Sequence, residues 1–253
     1  MKQFTHIAGA ILIVVVVWQA IFLIGGWNPA LFPPPLVVAL GFWELLMDGV
    51  LFEDIRISLV RFAIGYLSAV IIAIVLGLVL GWYKRVWAFL NPIAQVLRPI
   101  SPVAWLPFIV LFFGIGEAPA LVIIFIAAFF PVLLATVSAV QRIEPIYLKV
   151  AKSFSIGQPE ILTKIVLPAV FPDIATGLHL ALGTAWVFLV AGEMAGAQSG
   201  LGFLIIDARN NLRADLLMAD IVVIGVLGLL LDSGVRLAEK WINRRWGVPE
   251  RGM

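Results

Sequence analysis

The 21 residues from Phe62 to Trp82 pass without one charged side chain. At 1.5 Å per helical residue, about 20 apolar residues match a bilayer core of roughly 30 Å, so such a run is read as a membrane span. The pattern recurs along the chain. Candidate spans are Ile7–Ile24, Arg61–Trp82, an interrupted region Val86–Phe113, Ala118–Ala139, Ile174–Met194 and Ala219–Leu237, about six in all. The first follows Lys2 and exceeds the roughly 7–15 residues of a signal-peptide core. It also lacks an evident small-residue cleavage site, so it reads as an uncleaved span.

Charged residues make up 13% of the 253 positions, against about 25% in soluble domains. A chain so depleted cannot clothe itself for water, and lipid must be its outer solvent. The runs are long and do not alternate strictly, which favours helices over an outer-membrane barrel. The fold class expected is an all-α membrane protein. Residues 1–253 read as one transmembrane domain, with 1–60 as first span plus external segment and 61–240 as the core. The net charge of +2 does not argue for nucleic acid, because the basic residues cluster at span ends. There are no cysteines, which excludes disulfides and thiolate metal sites.

Lys and Arg in short loops set orientation. With a cytoplasmic N-terminus, Lys2, Lys84, Arg85, Arg142, Lys149, Lys152, Lys164, Arg236, Lys240, Arg244, Arg245 and Arg251 all fall inside. Arg56, Arg61, Arg209 and Arg213 fall outside or at its edge, and Arg98 is ambiguous. Both termini and the loop Lys149–Pro168 are therefore expected in the cytoplasm.

Two interruptions are expected to shape the bundle. Pro33-Pro34-Pro35 stands outside any regular helix, and Val38–Leu51 reads as a helix on the outer interface, with Trp43, Leu46 and Val50 on one face, or as a plain connector. Pro92, Pro99, Pro102 and Pro107 should kink or break the third span, which is expected to pack within the bundle. Small residues at intervals of four, Ala73/Gly77/Gly81 and Gly192/Gly196/Gly200, predict close helix packing.

No catalytic constellation emerges. His6 and His179 do not form a paired zinc motif, and no Walker-type loop is present, so any ATP would be hydrolysed by another subunit. Glu193, Asp220 and Asp232 lie near span ends, where they are either functional or interfacial. Arg98, beside broken backbone, could attract an anion. Trp105, Thr136, Ser138, Thr184, Trp186 and Glu193 join it as candidates for a solute pathway, against the plainer reading that Trp and Thr pack.

The cytoplasmic loop has the most internal logic. Pro145 can open a helix over Ile146–Phe154, and Gly157 breaks it. Pro159 can open a second piece running to Leu167, which Pro168 ends. Two short helices joined by Ser155–Gln158 would make a knob on the membrane face, or an amphipathic hairpin resting on lipid.

That loop resembles the EAA loop of ABC importer permeases, Glu-Ala-Ala, three residues, Gly, nine residues, Ile-x-Leu-Pro. Ile165, Leu167 and Pro168 match its end and Ala151 its second Ala, while Lys149, Val150 and Ser155 differ from the pattern. The flanks are similar to the nitrate/sulfonate/taurine/bicarbonate permease family: Leu31-Phe-Pro-Pro-Pro35, Arg98–Pro107, Phe113-Gly-Ile-Gly116, Gly177–Trp186, Ala191-Gly-Glu-Met194, Ser199-Gly-Leu-Gly202 and Asp207–Leu212.

The resemblance implies a type I ABC importer transmembrane domain with a cytoplasmic coupling helix, in the bacterial inner membrane. It implies a second permease copy as homodimer partner, two cytoplasmic ABC ATPases and a periplasmic or lipid-anchored binding protein. ATP and Mg would be bound by the ATPase. The ATPase-coupling residues would be Lys149, Val150, Ala151, Lys152, Ser153, Phe154, Ser155, Ile156, Gly157, Gln158, Pro159, Glu160, Ile165, Leu167 and Pro168. The cargo expected is a small sulfonate such as taurine, with nitrate, nitrite or bicarbonate as alternatives. An ion-coupled secondary transporter and an intramembrane enzyme are the rival classes.

Overall fold

The structure is a computed structural model, and it describes residues 2–143, 146, 153 and 157–246. Every regular element among the described residues is helical. In chain order they are α1 (Lys2–Gly25), α2 (Pro35–Met47), α3 (Val50–Trp82), α4 (Lys84–Leu97), a 3₁₀ turn (Pro102–Trp105), α5 (Leu106–Phe113) and α6 (Glu117–Gln141). After the loop come one turn (Gln158–Glu160), a π-helical stretch (Ile161–Val166), α7 (Leu167–Gly196), α8 (Leu201–Asn210) and α9 (Ala214–Trp246). Four helical stretches are long and apolar enough to cross a membrane, and α4 with the α5 segment would make a fifth. The 24-residue α1 carries the first apolar run.

The chain divides into two compact units, Met1–Ser58 with Gln198–Val226, and Leu59–Ala197 with Leu227–Met253. In the first, Pro35 opens α2 at its first position, where a missing N–H costs nothing. The proline run thus enters the helix it was expected to precede. The helix ends at Met47, and Gly49 at φ 74° turns the chain into α3. Val50 therefore belongs to α3 and does not share a face with Trp43. The exposed stripe on α2 is Leu36, Leu40, Trp43 and Met47, opposite buried Val38, Gly41 and Leu45. Helix α3 starts eleven residues before Arg61, and its polar first turns serve α8. Asp54 Oδ1 accepts from the Gly200 N–H at 2.7 Å and Ser58 Oγ from the Leu201 N–H at 2.9 Å. Two of the donors that an N-terminus leaves open are thereby satisfied. Gly200 sits at φ 100°, so it serves this turn and not a helix-packing stripe.

In the second unit α6 and α7 pack along each other, and α3 lies along α6 through its glycines. A Cβ on Gly77 would stand 2.6 Å from Thr136 Cβ, on Gly81 2.7 Å from Val140 Cβ, and on Gly65 2.8 Å from Ile124 Cγ2. Gly177 meets Ala135 and Gly192 meets Ala120 in the same way across α6 and α7. Only glycine permits these approaches.

The third span is broken, with α4 and the α5 segment inclined at 84°. Pro102 and Pro107 sit at first-turn positions, so the break leaves few carbonyls without donors. The expectation that this region packs within the bundle holds only in part, since the α5 segment and the 3₁₀ turn lie against α6 and α7 while many of their side chains stay exposed. Phe89, Ile93, Val96, Phe108, Leu111, Phe112 and Phe113 are exposed, and only Trp87, Ala94 and Ile109 are buried. Apolar side chains on both pieces point outward, and neither piece has an all-round set of neighbours within the chain.

Candidate coupling segment and charged joints

The loop positions Lys149, Val150, Ala151, Lys152, Phe154, Ser155 and Ile156 lie outside the described residues. Ile146 and Ser153 are helical. From Gly157 onward the path is continuous. Gly157 has φ −66° and ψ 151°, backbone that any residue adopts, and among the described residues a Cβ there would meet only Pro159 Cδ at 3.9 Å. It therefore supplies no special conformation, and the segment turns helical at Gln158 with Pro159 in its first turn. Glu160 pairs with Lys164 at 2.9 Å, fully in solvent.

Pro168 does not end the helix. A proline ring clashes with the carbonyl four residues earlier, here Lys164, and lacks the N–H that would bond it. The chain answers with π geometry over Ile161–Val166, whose wider turn shifts the bonding register. The axis then continues into α7, giving one helical body from Gln158 to Gly196 of 39 residues.

That body is anchored in an apolar cluster. Ile161 and Val166 of the π stretch and Val170 and Ile174 of α7 are buried with Ala139 and Val140 of α6. Ile74, Leu78 and Trp82 of α3 pack on it, as do Ile143, Leu162, Ile165, Leu167 and Leu178. Ile165 and Leu167 thus face the bundle, and Glu160, Thr163 and Lys164 face solvent. A force on the loop would reach three helices through this cluster.

The opposite end of α7 is held by charge. Arg61 Nη1 donates to Glu193 Oε1 at 2.9 Å and its Nη2 to Glu117 Oε1 at 3.3 Å. Arg61 and Glu193 are both buried, whereas the Glu117 side chain is mostly exposed. Arg61 and Glu193 are therefore partners in one buried ion pair. Beside them the Gly116 N–H donates to the Gly196 carbonyl at 2.8 Å, tying the start of α6 to the end of α7. Midway, Tyr66 donates to the Leu178 carbonyl at 2.8 Å, and Phe62 meets the buried Trp186 edge-on with ring centroids 5.3 Å apart.

The pathway candidates fall into two groups. Arg98 caps α4 and is exposed, and Trp105 lies in the 3₁₀ turn edge-on to Phe108. Thr136 is buried in the α3–α6 contact and donates to the Val132 carbonyl at 2.7 Å. Ser138 accepts from Arg142 at 2.9 Å. Thr184 Oγ1 lies 3.0 Å from the Leu180 carbonyl and 3.4 Å from that of Ala127 on α6. Asp220 is fully buried and Asp232 half-buried. No metal-holding group of three His, Cys, Asp or Glu is present among the described residues.

Residues 69–247 match the family model of the binding-protein-dependent transport system inner membrane component. The chain belongs to that family. It is 31% identical to the taurine transport system permease protein TauC of Escherichia coli K12, over 94% of this chain and 89% of that protein. It is 36% identical to the nitrate import permease protein NrtB of Leptolyngbya laminosa, over 86% of this chain and 80% of that one. Among solved structures, inward-facing MetNI methionine ABC transporter superposes with a TM-score of 0.59 at 18% identity, over 81% of this chain and 97% of that one. That likeness shows the fold, a type I importer transmembrane domain. The chain is thus a multi-pass inner-membrane permease subunit of an ABC importer, working with ATPase and binding-protein partners, and not itself an enzyme.

Proposed function

We propose that this permease forms, as a homodimer, the pathway for a small organic sulfonate such as taurine, and that the loop 149–168 is its coupling helix. The observation that carries the coupling reading is the unbroken helical body from Gln158 through the π stretch to Gly196, seated in the apolar cluster. Two cytoplasmic ATPases would bind ATP and Mg and hold the loop. Their closure would drive α7 as a lever, because rigid helices pass rigid-body motion to whatever packs on them. A partner shifts a two-state bundle only through its differential affinity for the two states, and the knob is where that difference would act. The N-terminus and C-terminus lie in the cytoplasm on the distribution of Lys and Arg.

The sulfonate reading is supported by Ser199-Gly-Leu-Gly202 and Asp207-Ala-Arg209, and by similarity to the taurine permease along almost the whole chain. An exposed Arg98 beside the break suits an anion. Nitrate, nitrite or bicarbonate is the second reading, favoured by the likeness to the nitrate permease. A strain deleted for this chain should lose growth on taurine as sole sulfur source and keep growth on nitrate as sole nitrogen source. The reverse pattern would move the cargo to nitrate. Gradient-driven uptake in liposomes without any ATPase would overturn the ABC coupling altogether.

A further inference from the structure

One imidazole in this molecule meets two carboxylates. His179 on α7 has Nδ1 2.9 Å from Asp232 Oδ1 and Nε2 3.0 Å from Glu239 Oε2, both on α9. Asp232 and Glu239 are seven residues apart, two helical turns, so they project from one face of α9. Between them Arg236 pairs with the other oxygen of Asp232. Glu239 has no other hydrogen-bond partner among the described residues.

Donor arithmetic then decides the state of the ring. A neutral imidazole has one N–H and one bare lone pair, and an ionised carboxylate only accepts. A neutral His179 would aim a lone pair at one of the two carboxylates. With both carboxylates ionised, only the imidazolium gives both contacts a proton. We propose that His179 is a proton-binding site whose imidazolium clasps the C-terminal part of α9 to α7. Loss of that proton to solvent removes one of the two bonds. Asp232 keeps its Arg236 partner whichever ring nitrogen gives up its proton, so the two carboxylates together are left with one imidazole donor.

The surroundings leave the assignment to these groups. On α6 no ionisable side chain lies between Glu117 and Arg142. On α3 the sole ionisable side chain between Arg61 and Trp82 is Tyr66, whose hydroxyl is committed to the carbonyl next door at Leu178. On α7 itself the neighbouring acids are Asp173 and, fourteen residues beyond His179, Glu193 with Arg61. On α9, Lys240 follows Glu239, and the Glu160–Lys164 pair closes on itself in solvent. The clasp matters because much of this part of α9 is exposed, Leu229, Leu230, Leu237 and Trp241 among it. Gly228 also approaches α7, against the Trp186 indole. The helix that the clasp grips is the one that carries the coupling segment.

The chain has two histidines, so a His6→Asn variant leaves His179 alone. Nitrogen NMR of that variant, labelled at histidine and reconstituted in lipid at neutral pH, should show both ring nitrogens protonated. Adding Asp232→Asn and Glu239→Gln should return one protonated and one bare nitrogen. A neutral ring in the His6→Asn protein would overturn the proposal, and would place the proton on a carboxyl instead. A second reading does not depend on the double variant folding. With spin labels on cysteines at Leu180 and Leu237, the separation should widen as pH rises in the parent and hold in His179→Arg, whose guanidinium cannot be deprotonated. Identical behaviour of the two across pH would also overturn it.

Discussion

The two ends of α7 are held by opposite chemistry. At the coupling end, Ile161, Val166, Val170 and Ile174 sit in a dry apolar cluster with Ala139 and Val140. At the other end a buried Arg61–Glu193 pair fixes the helix, with Glu117 reaching in. Apolar contacts are non-directional and can slide with little loss, whereas a buried ion pair has one good geometry and a large penalty for a half-broken state. A lever needs a compliant end and a pivot. The apolar cluster suits the end that receives force, and the ion pair suits the end that must stay in place.

The largest expected effect breaks the pivot. Arg61→Met leaves Glu193 buried without its guanidinium, which should cost about 3–5 kcal/mol and abolish assembly with the partners. Arg61→Met combined with Glu193→Leu should recover most of the stability, since an apolar pair carries no desolvation penalty, while transport stays impaired. Thermal unfolding of detergent-solubilised protein measures the first part and reconstituted uptake the second. Equal stability of the single and double variants would remove the pair as a pivot.

Next in size is the compliant end. Ile174→Ala opens a cavity at a fully buried site and should cost about 2–4 kcal/mol. Its signature should be a lower ratio of solute moved to ATP hydrolysed, with ATPase binding intact. A smaller strain is expected at Gly77→Ala, because the new methyl falls 2.6 Å from Thr136 Cβ and over-packing of this kind costs roughly 1–3 kcal/mol.

The smallest effect lies on α2, far in sequence from both ends. Arg213 grips Glu44 at 2.6 and 3.1 Å, and these hydrogen bonds hold the Glu44 carboxyl below its ordinary value. Arg213 is itself held in its charged form by Asp215 and then Glu44. A carboxyl lowered in the folded state lends stability above its unfolded pKa and loses it as pH falls through the folded one. Glu44→Gln should therefore lower the melting temperature slightly at neutral pH and have no effect in acid. The site is exposed, so the difference is expected to be small.

Much of this architecture was legible because hydropathy and helix length are coupled by the thickness of a bilayer. Arg61–Trp82, Ala118–Ala139 and Ile174–Met194 each fall inside an observed helix, and the prolines at 99, 102 and 107 mark the break in the third span. What was not legible has a physical reason in each case. The start of α3 is polar, so hydropathy ended the span at Arg61. Yet Asp54 and Ser58 are polar because they cap α8, a contact made 143 residues or more away in sequence. Pro168 reads as a helix stop under α-helical rules, and the π stretch that accommodates it has no separate sequence signal. Arg61 and Glu193 each look like span-end charges, and only their meeting makes them a buried pair. The one available hint was their opposite sign near the ends of two antiparallel runs. His179 forms no paired motif with the distant His6, and its partners are instead the acids of α9.

The central claim is that force enters at the loop and leaves through α7. Gly157→Trp tests it most directly, because the glycine has ordinary backbone angles and, among the described residues, only an ordinary contact with Pro159 at its Cβ position, so the fold should accept the change. In liposomes holding permease, ATPase and binding protein, the variant should insert normally and melt as the parent does, yet fail to capture the ATPase or to couple its hydrolysis to uptake. Normal capture with normal uptake would contradict the account.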